Sequence, residues 1–202
     1  MKKFAFRVAF LTLGLPCYYA FAAPQNADVV TGNVEIQGAG TPQVQINQST
    51  DRAIINWNSF NIGRDESVQF VTPGAQAATL NRVTGGDPSE ILGHLSSNGQ
   101  LWLINPNGIM FGESAVVNVA GLMASTLNIT DHDFMSGNYH FSQDGSNLAK
   151  IVNAGQINAS EGGYVTFLAP QFQTPGLSPP DWARLRWGPE PKPACNCKAT
   201  VY

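Results

Sequence analysis

An all-β fold is what this sequence predicts, and three observations carry it. Short segments alternate apolar and polar residues with period two, as half-buried strands do. Gly, Asn, Pro and Asp break those segments every few residues, as at Gly63, Thr72-Pro73-Gly74 and Gly85-Gly86-Asp87-Pro88. Two segments, VNVAGLMAST (117–126) and IVNAGQINAS (151–160), share an Asn, a Gly, an apolar position and a closing Ala-Ser. Repeated strand–turn–strand units of that kind stack into a β-solenoid. Two unrelated strands of a sandwich are the competing reading.

The chain opens on a leader. Met1-Lys2-Lys3 and Arg7 are positive, residues 8–16 (VAFLTLGLP) are apolar but for Thr12, and Ala20-Phe21-Ala22 fits a small-residue cleavage site. This predicts a secretory signal peptide over residues 1–22, cut after Ala22. The apolar stretch is shorter than the roughly 20 residues that span a bilayer. Cys17 suggests a lipoprotein leader, but Pro16 before it and the later Ala20/Ala22 site argue against that.

The strands follow in order. VTGNVEIQG (30–38) reads as one strand with a buried face, and Val44–Gln48 continues it. Ala53–Trp57 is apolar and rich in β-branched residues; Ser67–Val71 alternates again. Pro88–Leu95 is the one stretch with a helical look, because Ile91, Leu92 and Leu95 fall at helix spacing; it predicts a single helical turn or a loop. Two apolar runs, Leu101–Ile104 and Ile109–Phe111, flank Asn105-Pro106-Asn107-Gly108. Pro106 presets φ for turn position i+1, and Asn107 or Gly108 takes φ > 0 cheaply. Trp57, Phe60, Phe70, Trp102 and Phe111 are expected in the core.

Composition excludes several functions. Residues 23–171 hold four basic residues, Arg52, Arg64, Arg82 and Lys150, against twelve acidic ones, a net charge of −8. With no basic stripe to neutralise phosphates, nucleic acid is not an expected partner. No cysteine falls in 23–171; Cys17 is in the leader and Cys195 and Cys197 are near the end. A secreted domain without disulfides rests on packing and hydrogen bonds.

No active site stands out. His94, His132 and His140 are scattered, and Asp131-His132-Asp133 reads as an exposed loop rather than a metal site. No nucleophile elbow surrounds Ser125. The expectation is therefore a non-enzymatic chain without a cofactor or metal. Asn47, Asn128 and Asn158 fit the N-x-S/T acceptor pattern, which arises by chance in an Asn-rich chain.

The alternation stops after Leu168. Residues 172–202 carry six of the thirteen prolines, two of the four tryptophans and both late cysteines. Two readings fit that shift: a Pro-rich disordered tail, or a segment translated out of frame from near Gln171.

The order of AIINWNSFNIG (53–63), VQFV (68–71), LNRVTG (80–85), ILGHLSSNGQLWLINPNGIMFG (91–112) and VNVAGLMASTLNI (117–129) resembles the N-terminal secretion domain of two-partner secretion exoproteins. That family includes filamentous haemagglutinin and the high-molecular-weight adhesins of Gram-negative bacteria. The match runs from about Val30 to Pro170, within a domain of residues 23–171. The resemblance implies a right-handed parallel β-helix with antiparallel N-terminal capping strands. It implies export by the general secretory machinery, then recognition by periplasmic modules of an outer-membrane transporter and delivery to the cell surface or beyond. The family's secretion motif falls on Asn105, Pro106, Asn107, Gly108 and Ile109. The second family motif, Asn-Pro-Asn-Leu, is absent, which places the chain nearer the adhesin branch. Members lead a large passenger, so a truncated exoprotein is expected, with a host receptor reached through the missing part. Competing readings are the head of a contact-dependent toxin carrier and a secreted β-helix that binds or cleaves carbohydrate. Segments 53–57 and 100–104 suit strand addition to a transporter module while the chain is still extended.

Overall fold

The structure, a computed structural model, describes residues 22–143, 148–174 and 198–201. Residues 1–21 lie outside it, and with them Ala20 and nearly all of the expected leader. So do 144–147, 175–197 and 202, and with them most of the proline-rich tail, Cys195 and Cys197.

Among the described residues, sixteen strands and one short helix form. They are β1 Asp28–Thr31, β2 Val34–Gln37, β3 Gln43–Gln48, β4 Arg52–Trp57, β5 Ser67–Val71, β6 Ala78–Val83, β7 Ser89–Ile91 and β8 His94–Ile104. Then come β9 Ile109–Phe111, β10 Val116–Ser125, β11 Asn128–Ile129, α1 Asp131–Ser136, β12 Phe141–Ser142, β13 Lys150–Asn153, β14 Gln156–Ala169, β15 Gln171–Gln173 and β16 Lys198–Val201.

They coil as the expected parallel β-helix, of about five turns. Three faces enclose the core. On the first, β3, β5 and the N-terminal parts of β8, β10 and β14 pair in parallel. On the second, β4, β6 and the C-terminal parts of β8, β10 and β14 do the same. The third stacks β7, β9, β13 and β15. The start is capped against the grain: β1 runs antiparallel to β4, and β2 antiparallel to β3. At the far end β16 runs antiparallel to β14, with Thr166 opposite Val201 and Ala169 opposite Lys198. Within the ladders the backbone of each inner rung pairs with the rungs on either side.

The inner core holds Ile55, Leu101, Leu103, Phe111, Val117 and Leu122 among others, and Trp57, Phe60, Phe70 and Phe111 are all buried as expected. Asn81 is one of several buried polar residues, with Thr79 two positions before it on the same strand. Its amide oxygen accepts from Trp57 Nε1 at 3.0 Å and its nitrogen donates to Trp102 O at 3.3 Å, so the group is satisfied without water.

A second apolar cluster explains the unbroken run at 101–104. Ile54, Leu80, Trp102 and Ile104 point outward from the second face, where Ile129 and Phe134 cover them. A strand buried on both faces has no polar positions to alternate with. The cover is an excursion between β10 and β13 that contains β11, α1 and β12. Two arginines pin it. Arg82 pairs with Asp131 at 2.7 Å and donates to Asn128 Oδ1 at 3.1 Å and Ile129 O at 2.7 Å. Arg52 donates to Phe134 O and lies 5.3 Å above the Phe134 ring.

Three expectations are corrected. Pro88–Leu95 is neither a helical turn nor a loop but β7, a corner and the start of β8. Ile91 and Leu95 both point inward across that corner, so two strand residues mimic helix spacing. Segment 30–38 is two strands, parted where Gly32 takes φ +93° and packs on Ala53 too closely for a Cβ, which would lie 2.7 Å from the Ala53 Cβ. Asp131-His132-Asp133 is no loop; it is the first turn of α1, with Thr130 as N-cap accepting from Asp133 N at 3.1 Å. The two similar segments stack only in part. Val117 pairs with Ile157 and Asn118 with Asn158, while Ile151 belongs to the third face and pairs with Ile109.

Segments 53–57 and 100–104 are central strands with neighbours on both sides. In the folded domain neither offers an edge for strand addition.

Candidate functional site

The Asn105–Ile109 corner joins the second face to the third. Asn105 O accepts from Gly108 N at 3.1 Å, closing a turn with Pro106 and Asn107 at its centre. Asn105 Oδ1 accepts from Asn107 N at 2.9 Å, an Asx-turn laid on the same residues. Gly108, not Asn107, takes the positive φ, +119°, and a Cβ there would come within 3.1 Å of Lys150 O.

The corner is fastened to the rungs on both sides. Asn105 Nδ2 donates to Asp87 O and to Ser89 Oγ, each at 3.0 Å, and Asn107 Nδ2 donates to Gly85 O at 2.8 Å. On the other side Asn105 N donates to Ser125 O at 2.9 Å. Ile109 is buried and pairs with both Ser89 and Ile151. Asn105 has no exposed surface at all, whereas Pro106 faces solvent. The amides thus act as staples between corners of successive turns. Sequence reasoning placed the turn; it did not find the partners Gly85, Asp87 and Ser89, since nothing in the chain spells out which corner lies beneath which.

A second concavity, of about 410 Å³, opens where β14 bends, lined by Gln76, Gln100, Trp102, Tyr139, Glu161 and Tyr164 among others. Trp102 Nε1 donates to Tyr164 Oη at 3.0 Å, and the Tyr164 hydroxyl donates to Gln100 Oε1 at 3.0 Å. Burial pushes the Tyr164 phenol above its ordinary 10.0, partly offset by the indole donor. The folded chain therefore holds that proton more tightly than the unfolded chain. Its contribution to stability is full below pH ~10 and is lost as pH rises through the folded value. Melting temperature followed from pH 9 to 11.5 should drop at the alkaline end. Tyr164→Phe should flatten part of that drop; an unchanged drop would refute the assignment.

Among the described residues no group of three His, Cys, Asp or Glu is placed to hold a metal ion. Asp131 is engaged by Arg82, and His132 lies 3.8 Å from Asp133. Also among the described residues, no helix is long and apolar enough to cross a membrane.

With this geometry in view, comparison with known proteins is decisive. The profile of the TPS secretion domain matches residues 20–181. The chain belongs to the TPS secretion domain family. The crystal structure of the HMW1 secretion domain from Haemophilus influenzae superposes with a TM-score of 0.72 at 41% identity, over 76% of this chain and 41% of that one. A heme/hemopexin-binding protein of H. influenzae is 39% identical over 120 residues, which are 59% of this chain and 13% of the relative. A heme/hemopexin-binding protein from H. influenzae strain ATCC 51907 is 42% identical over 106 residues, 52% of this chain and 12% of the relative. The chain thus spans about an eighth of the curated relatives it matches. It is a TPS secretion domain of the two-partner secretion exoproteins, a family that is non-enzymatic in general. TPS exoproteins are secreted through the periplasm to the cell surface, and a TPS domain implies an outer-membrane transporter as partner.

Proposed function

We propose that this TPS domain targets a haemagglutinin-like surface adhesin to its transporter, and that Asn105–Ile109 serves recognition by shaping the fold. The observation that carries the second part is the burial of Asn105. A side chain with no exposed surface, bonded to the turn beneath, cannot touch a partner on the folded domain. What a transporter's periplasmic modules read is then the surface that the stacked corners hold in place. Delivery of an adhesive passenger to a host receptor follows from the same reading, as does the leader over residues 1–22.

The experiment is secretion of the chain in a host that carries a TPS transporter, with Asn105 and Asn107 both replaced by Ala. Secretion should fall together with melting temperature. Secretion lost at unchanged melting temperature would favour direct contact through the exposed edge of the corner and sink the structural reading.

The recess beside Tyr164 supports a second reading, a carbohydrate-binding β-helix. Exposed Tyr139 offers a ring face and Gln76, Gln100 and Glu161 offer polar groups, the pairing of surfaces that sugars use. Titration of the chain with N,N′-diacetylchitobiose and with lactose, followed by tyrosine fluorescence, discriminates the two.

A further inference from the structure

Glu66 is a buried carboxylate that, among the described residues, has no cationic side chain for a partner. It sits in the corner before β5, where Glu66 N donates to Gly63 O at 3.0 Å, and it is 7% exposed. Its Oε2 accepts from Gly63 N at 2.7 Å and its Oε1 accepts from Ala22 N, also at 2.7 Å. Among the described residues, the ion pairs are Arg82 with Asp131 and His132 with Asp133; no basic side chain reaches Glu66. Two amide donors satisfy the oxygens without neutralising the charge, and buried charges are ordinarily paired.

The chain beside that carboxylate is held firmly. Ala23 is 3% exposed and packs into the inner core. Gln25 N donates to Ser59 O at 3.0 Å, and Asn58 N donates to Gln25 O at 3.1 Å. The expected cut after Ala22 therefore falls at the point where the backbone leaves the carboxylate. Cleavage removes the Ala22 amide and creates a primary ammonium on Ala23, one residue along. Consecutive Cα atoms are about 3.8 Å apart, so the new charge needs to move by no more than a single residue step.

We propose that Glu66 is the receiving site for the α-ammonium of Ala23, and that this ion pair fixes the start of the first turn once the leader is gone. The missing countercharge is supplied by processing itself. A precursor still joined to its leader keeps an uncharged amide at the same place and leaves the buried charge uncompensated. The proposal rests on the export reading only through the cut after Ala22. Periplasmic expression without any transporter supplies the cut chain, so the test stands apart from transporter recognition.

N-terminal sequencing of that chain comes first; a start downstream of Ala23, or an uncut leader, overturns the proposal at its premise. The processed chain and an α-acetylated form, which lacks the charge, are then compared by urea unfolding with Glu66 and with Glu66→Gln. Acetylation should raise the unfolding constant about tenfold with Glu66 present and change it far less in Glu66→Gln, a non-additive pair as expected of groups in contact. Equal effects in both backgrounds would overturn it. If Glu66→Gln does not fold, the α-amine is titrated in the processed Glu66 chain by its reaction with acetic anhydride, folded and in urea. The folded value should exceed the usual value of about 8; identical values in the two states would equally overturn the pairing.

Discussion

Replacing Trp102 by Ala should be the most damaging single change on the outer surface of the solenoid. The indole is 3% exposed and touches three rings: Phe134 at 5.2 Å, Tyr139 at 5.2 Å and Phe141 at 5.9 Å between centroids. Its Nε1 also holds the Tyr164 hydroxyl. Truncating a buried Trp costs about 3–5 kcal/mol, the lost transfer energy plus the cavity left behind. Here the cavity would lie between a rigid sheet and a short helix pinned by Arg52 and Arg82. The excursion should therefore loosen before the solenoid does. Hydrogen exchange should rise across 128–142 while β6, β8 and β10 stay protected. Uniform loss of protection over the whole chain would show that the cover and the coil unfold as one unit.

Asn105→Ala should cost about 3 kcal/mol for a different reason. No large volume is lost, but Ser89 Oγ, the Asn107 amide and the Asp87 carbonyl each lose a partner. Stranding buried polar groups costs about 1–3 kcal/mol each where water cannot reach them. Asp87 is exposed and recovers a bond to solvent, so the sum falls short of the maximum. In a domain of this size the melting temperature should fall by about 6–12 °C. Asn105→Asp should fare poorly too, because a carboxylate cannot donate to Asp87 O and Ser89 Oγ. A drop below 2 °C in Asn105→Ala would mean that the corner is held by its turn geometry alone.

Legibility in the sequence followed the range of the interaction. Ser67–Val71 alternates and is a strand with one face inward, since period two is a property of the strand itself. The turn at 105–108 was legible because Pro106 and Gly108 fix dihedrals locally. The run Leu101–Ile104 was legible as strand, though its second buried face depends on a cover that arrives some 30 residues later. The cap of α1 was written in Thr130, Asp133 and Gly137 but is only six residues long, too short for periodicity to show. The likeness of 117–126 to 151–160 carried no register: Asn118 pairs with Asn158, and Ile151 lies on the third face. The pairing of Glu66 with Ala22 N had no local mark at all.

The second face begins with β1 and ends with β16, and both run opposite to the five strands between them. A parallel ladder is a mould whose last row prints the next in the same direction. Reversing the direction at each margin spoils the print. Another copy of the chain that approached this face with its own rungs aligned would meet hydrogen-bonding groups spaced for the wrong partner. On this face, growth along the coil axis would have to begin by peeling off Asp28–Thr31 or Lys198–Val201.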